Sequence, residues 1–393
     1  MQPIYLDNNA TSAVAPEVLE AMLPWLGARC GNPSSLHRLG SDAADALAAA
    51  RRHVARLIGA RSPREILFTS GGTEADVAAL HSGARQGRAS RGALRLVGTA
   101  IEHAAVLATL ERLESEGFEV CLARCDDQGR VDVEHFVELL DGAPSALATC
   151  MWVNNETGVI QDVARLGQAC RERGVLFHVD GVQAAGKLPM AVAELPIDSL
   201  ALSSHKLHGP KGAGALYVRR GVPFEPLLTG GPQEGERRAG TENVPGIVGL
   251  GRAAELALAQ LEHTGELARL RDRLESRALA AIPGTRLHGA RAERVANTTH
   301  LAFEGLSGEA LVTLLSELGL CASTGSACAS GKQAPSHVLL AMGCDLPETS
   351  SSLRLSLSRQ TTQAEIEAAG DLLEQAVGRL RALAGTAASR NPE

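Results

Sequence analysis

Short apolar runs alternate with helical stretches along the first two thirds of the chain, and this alternation limits the fold more than any other feature. Residues 65–69 (EILFT), 94–98, 146–153, 176–179, 199–202 and 213–218 read as buried strands. Residues 42–58, 73–83, 104–117 and 163–172 read as helices. Such alternation predicts an α/β fold with a mostly parallel sheet covered on both faces. Glycines and polar residues follow most of the runs directly, and in open sheets of this kind the binding residues gather at those strand ends.

The pattern changes near residue 250. Residues 251–281 form an Ala/Leu/Glu-rich helical stretch suited to connecting two domains. A strand at 298–303, helices at 308–318 and 363–383 and a polar segment at 350–358 then suggest a smaller α+β domain. A chain of 393 residues suits two unequal domains. We expect a large one over 15–255, and a small one from 1–14 and 256–393.

Composition excludes several classes of function. The net charge is −7 with no long basic run, which argues against nucleic acid or an anionic membrane as partner. No stretch of about 20 apolar residues is present to span a bilayer, and the first residues lack a charged-then-apolar export pattern, so the expected location is the cytoplasm. The eight cysteines are scattered, without paired C-x-x-C blocks. Cys121 and Cys125 fit a strand interior or edge better than a metal pair.

The chemistry-bearing residues sit just past the strands. Lys206 follows a strand within Ser-Ser-His-Lys, beside Ser203 and His205. A lysine so placed can form an imine with an aldehyde cofactor once burial and neighbouring positive groups lower its pKa. Lys211, in Gly-Pro-Lys-Gly, is the rival, with the setting of a solvated turn residue. Asp180 in HVDGVQ can pair with a pyridinium nitrogen or serve as a helix N-cap. Gly72 and Thr73 in FTSGGTEA open a helix, and its free N–H groups make an anion cradle suited to phosphate.

His103 opens another helix, where a ring can stack on a flat cofactor and move protons, or be structural. Asn155 and Gln183 can hydrogen-bond a phenolic oxygen, or be ordinary turn residues. Cys328 lies among small and polar residues that read as a loop, whereas an inert buried thiol would have apolar neighbours.

Taken in order, LDNNATS, NPSSLHRLG, FTSGGTEA, EHAAV, VNNETG, HVDGVQ, SSHKLHGPKG, RRAGTEN, TGSACASG and LRLSLSR resemble the cysteine desulfurases of the NifS/IscS type. These are pyridoxal 5'-phosphate enzymes with the aspartate-aminotransferase-like fold. The resemblance runs from residue 5 to about residue 362. It implies a large domain with a mostly parallel seven-stranded sheet, a smaller α+β domain carrying Cys328, and a homodimer with shared active sites. It further implies conversion of L-cysteine to L-alanine, with the sulfur passed to Cys328 as a persulfide. An iron–sulfur scaffold or another acceptor protein would then take it, as in the supply of sulfur for nitrogen fixation.

At matching positions, the resemblance implies that Lys206 holds the cofactor, Asp180 pairs with its ring nitrogen, and His103 stacks on the ring and moves protons. Gly72, Thr73, Ser203 and His205 would hold the phosphate, with Thr241 reaching in from the partner subunit. Asn155 and Gln183 would meet the ring oxygen. Arg354 would clamp the substrate carboxylate in a bidentate fork, with Asn155 nearby and Asn32 a further candidate. No resident metal is implied, although Cys328 can share an iron–sulfur cluster held on a scaffold. A selenocysteine lyase, or another pyridoxal-phosphate lyase on the same scaffold, is the alternative. Pro232, Gly235 and Glu236 depart from the Gly, Arg and Gly usual in the family.

Overall fold

The computed structural model describes residues 3–325 and 335–388. A short strand, β1 (Ile4–Tyr5), opens the chain. Then β2 (Ile66–Thr69), β3 (Arg95–Thr99), β4 (Glu119–Ala123), β5 (Ser145–Met151), β6 (Leu176–Asp180), β7 (Ser199–Ser203) and β8 (Gly214–Val218) build one seven-stranded sheet. Their order is β2-β8-β7-β6-β5-β3-β4, parallel throughout except that β8 runs against both β2 and β7. Strands β5, β7 and β8 are buried along their whole length. Helices cover both faces, which is why these strands read as unbroken apolar runs and not as alternating ones.

Strand β4 is the one the apolar runs did not mark. It is an edge strand with Glu119 and Leu122 exposed and only Ala123 fully buried. Its polarity therefore follows from having solvent on one side. Cys121 lies within it, and Cys125 just beyond it in a bridge to Val131. The helix expected over 73–83 runs instead from Gly72 to Arg91, ending where Gly92 adopts φ 64°. That left-handed conformation is the usual glycine stop.

The stretch expected as one helix over 251–281 is two, Val244–Gln260 and Thr264–Ala281, separated by a 3-10 turn at Leu261–His263. The break falls at His-Thr-Gly, three residues of weaker helix propensity than the Ala/Leu/Glu around them. The expected junction at residue 255 lies inside the first of these helices.

Beyond them β9 (Thr285–Leu287), β10 (Thr298–Phe303) and β12 (Ser352–Ser356) form an antiparallel sheet in the order β12-β10-β9. Strand β11 (Leu320–Cys321) pairs in parallel with β1. The polar segment at 350–358 thus contains a buried strand. Leu353 and Leu355 enter the core, and the intervening Ser352, Arg354 and Ser356 point to the opposite face. Leu6 packs with Leu301, Phe303, Leu355, Ile366 and Leu373 in this second core, which places the first residues of the chain with its last third. Among the described residues, no helix is long and apolar enough to cross a membrane.

Candidate active site

The carboxyl ends of β2, β3, β5, β6 and β7 open on one cavity of about 460 Å³. Gly72, Thr73, His103, Asn155, Asp180, Gln183, Ser203, His205, Lys206 and Arg354, all singled out above, line it. Asn32 and Thr241 are exposed and do not line it in the single chain. Cys328 lies outside the described residues. Gly325 before it lines the cavity, and after it Ser336 Oγ donates to Glu156 Oε2 at 2.5 Å.

Each wall follows from local structure. Strand β2 turns at Ser70–Gly71 into the helix Gly72–Arg91, whose first N–H groups have no partner within the helix. Gly72 is buried there, and a Cβ on it would stand 2.7 Å from Val182 Cγ2, so glycine is required for this approach. Glu74 in the same turn is held by Arg238, with Nε to Oε1 at 2.9 Å, and that ion pair keeps its carboxyl below the usual range against the opposing effect of burial.

At the end of β3, His103 caps the helix Ala104–Ser115, and its Nδ1 accepts from the Ala105 N–H at 3.1 Å. The neutral ring therefore carries its proton on Nε2. Desolvation in the cleft lowers the His103 pKa while Asp180 pulls it up.

Asp180 ends β6, buried, with Oδ1 accepting from the Val182 N–H at 2.9 Å. Burial raises its pKa, opposed by His103 and Lys206. Lys206 ends the turn Ser204–Lys206 after β7. Its Nζ donates to the main-chain oxygens of Asn9 at 2.5 Å and Ala10 at 2.8 Å. Burial first, then the Arg354 charge, brings its pKa down to about 8. Lys211, by contrast, is exposed in the next turn. His205 meets Thr11 Oγ1 through Nδ1 at 3.2 Å, and burial with two nearby lysines brings its pKa to about 4, so it is neutral near pH 7.

Arg354 projects from β12, buried, with Nη1 donating to the Asn155 carbonyl at 3.0 Å and Nη2 to Asp7 Oδ1 at 2.8 Å. Its Nε is buried without a protein partner, a donor left for another acceptor.

The structure also brings in residues that the sequence reading did not single out. Asn9 lines the cavity, and its Nδ2 donates to the Asn155 carbonyl and to Thr298 Oγ1. Asp76 and Glu102 lie buried near Asp180, and burial together with that charge raises both carboxyls, Glu102 to about 8. Their signal was slight, since Asp76 directly follows FTSGGTEA and Glu102 opens EHAAV without any periodicity to mark them. Away from the cavity, His288, Cys344 and Glu348 bring donor atoms within 4.8 Å of one another. The Glu348 oxygens there already meet His288 and Arg286.

The carboxyl-end cavity, with a low-pKa lysine, a buried aspartate and a helix start around it, corresponds to a known family. Residues 4–369 match the model of the class-V aminotransferases. The chain belongs to that family. Within it, the similarity is to cysteine desulfurases. One from Cereibacter sphaeroides is 50% identical over 98% of both chains. The cysteine desulfurase NifS of Azotobacter vinelandii is 46% identical over 93% of this chain and 90% of its own. A solved NifS-like protein superposes with a TM-score of 0.89 at 36% identity, over 96% of this chain and all of its own. SspA in complex with cysteine superposes at 0.78 with 32% identity, over 90% and 98%.

Proposed function

We propose that this cavity removes sulfur from L-cysteine with pyridoxal 5'-phosphate, leaving L-alanine and a persulfide on Cys328. One observation carries the reading: Lys206, Asp180 and the start of the helix Gly72–Arg91 converge on a cavity of about 460 Å³, which is of the size that small ligands occupy. The residues fit the cofactor by their chemistry. A lysine with a pKa near 8 is a competent nucleophile toward an aldehyde. A buried carboxyl raised by burial gains from a cationic ring nitrogen. Gly72, Thr73, Ser203 and His205 would hold the phosphate, and Asn155 and Gln183 the ring oxygen. Bound there, the cofactor would supply an electron sink for the carbon bearing the substrate amine.

The chain's own residues do the rest. Arg354, with a buried free Nε, holds the substrate carboxylate. Lys206 takes the α-proton and returns it, and His103 Nε2 serves proton traffic at the sulfur. The Cys328 thiolate takes the substrate sulfur, so that a carbon–sulfur bond is exchanged for a sulfur–sulfur bond. The remaining three-carbon amine leaves as alanine.

Gly325, three residues before Cys328, lines the same cavity, which supports this direct transfer. We further infer a homodimer, supported by exposed Leu23, Leu26 and Leu36 and by Thr241 standing outside the single chain's cavity. Two domains, joined near residue 255, are supported by a separate hydrophobic core that gathers Leu6 with apolar residues between 274 and 377. The sulfur acceptor we propose is an iron–sulfur scaffold, in a reducing cytoplasm that suits the free thiols of the seven described cysteines.

Mass spectrometry after incubation with cysteine tests the reading. Cys328 should gain the mass of one sulfur atom, and Cys328→Ala should keep its cofactor yet release no sulfide. Normal turnover by that variant would remove the role given to Cys328. Preference for selenocysteine over cysteine would favour a lyase instead.

A further inference from the structure

A second lysine ties Gln183 to Lys206, and the chemistry above does not use it. Lys187 stands four residues past Gln183 in the turns that follow β6. Its Nζ donates to Asn9 Oδ1 at 2.9 Å and to Gln183 Oε1. Gln183 Nε2 donates at 3.0 Å to the main-chain oxygen of Asn9, the same atom that accepts from Lys206 Nζ. A carbonyl can only accept, so the Gln183 atom facing it is the amide nitrogen. That orientation leaves Oε1 for Lys187 and one Nε2–H free. Asn9 is oriented just as firmly. Its Nδ2 faces the Asn155 carbonyl, and its Oδ1 accepts from both Lys187 and Asn297 Nδ2, the latter at 3.0 Å.

Gln183 lines the cavity with its carbonyl already taken, so toward a ligand oxygen it has only a donor to offer. The charged and titratable groups facing Lys187 are Lys206, Arg354 and His208, all basic. Asp180 and Asp7 reach this network through Lys206. Burial and the basic neighbours press the Lys187 pKa down. An apolar side chain would fill the space with less desolvation, so what Lys187 adds here is its pair of directed hydrogen bonds.

We propose that Lys187 is a positioning residue that locks Gln183 as an obligate donor to the cofactor's ring oxygen and thereby sets the pH at which the bound cofactor changes its visible absorption. The proposal rests on the pyridoxal-phosphate reading of the cavity. A donor held against that oxygen favours its anionic form, and an amide free to flip favours it less. Loss of the lock therefore moves the transition to higher pH.

The test uses full-length, cofactor-loaded protein as wild type, Lys187→Met and Lys187→Arg, with the visible absorption titrated against pH. Lys187→Met should shift the midpoint upward by about one pH unit, and Lys187→Arg, which keeps the donors, should recover most of it. Thermal unfolding run alongside shows that each variant is folded, and Lys187→Leu replaces the methionine variant if that one is not. Superimposed wild-type and Lys187→Met titrations would overturn the role of Lys187. If wild type develops no visible band with added pyridoxal 5'-phosphate, the cofactor reading itself fails, a distinct result.

Discussion

Lys206 and Glu102 show how the same burial serves opposite ends. Burial lowers the lysine to about 8 and holds a proton on the carboxyl up to about 8, so in each case it favours the neutral form. For Lys206 that produces a nucleophile. Lys206→Ala should lower alanine formation from cysteine by roughly a thousandfold or more, and the variant should fail to develop the visible band of bound cofactor. Amino-acid analysis and absorbance check the two outcomes.

For Glu102 the consequence is a pH-dependent loss of stability. Unfolded, it ionises near the ordinary 4.5, whereas folded it keeps its proton up to about 8. Between these values the folded state binds more protons, so the contribution to stability falls as pH rises. Glu102→Gln keeps an acceptor for Thr99 Oγ1 and the Met151 N–H without the ionisation. It should match wild type near pH 4.5 and exceed it by pH 8, on the order of a few kcal/mol, in urea unfolding of the cofactor-free protein. Parallel curves for the two proteins across this range would contradict the assignment.

Lys206 and Asp180 were legible in sequence because a polar residue directly after an apolar strand marks a strand end. Glu102, Lys187 and Asn9 were not, since beside any local contact each depends on a distant one, Met151 for Glu102, Asn9 for Lys187 and Lys206 for Asn9, which leaves no local pattern.

At the scale of elements, the turn Gln233–Glu236 stands out. Glu234, Gly235 and Glu236 have φ of 50°, 67° and 63°. Glu234 is compensated there: its carboxylate meets Arg51 in a bidentate pair at 2.7 and 2.6 Å and accepts from the Phe68 N–H. Glu236 is exposed, with no such compensation for a φ of 63°. Glu236→Gly should therefore stabilise the protein by about 1 kcal/mol, because a side chain in the left-handed region costs about that much. A rise in unfolding midpoint checks it, and a fall would mean that Glu236 has a favourable partner.

Elements with continuous apolar runs, such as β5 and β8, were legible within a residue or two. Strands β4 and β12 were missed for a shared reason. One borders solvent and the other alternates its leucines with Ser352, Arg354 and Ser356, of which Arg354 lines the site, so each mixes polar residues into its pattern.

For the whole molecule, the exposed leucines predict the state of assembly. Leu23 and Leu26 on the 3-10 turn Leu23–Leu26 are 54% and 63% exposed, too apolar a surface for a face that stays in water. Wild type should sediment as a dimer, and Leu23→Arg with Leu26→Arg should shift it to monomer with weakened cofactor retention, since Thr241 would no longer reach a neighbouring cavity. A fully active monomeric wild type would rule out a shared site.

The same scale gives the threading of the first dozen residues a kinetic meaning. Asn8 Nδ2 donates to the Ser356 carbonyl across 348 positions, and Asp7 holds Arg354 across 347. Asn9, meanwhile, supplies the acceptor for Lys206. A ribosome therefore releases the floor of the pocket first and the strand that pins it nearly last. The large sheet can form while synthesis continues, but Lys206 reaches its final setting only after β12 emerges, because contacts so distant in sequence close late. A nascent chain halted before residue 352 would carry a folded sheet and an unfinished pocket.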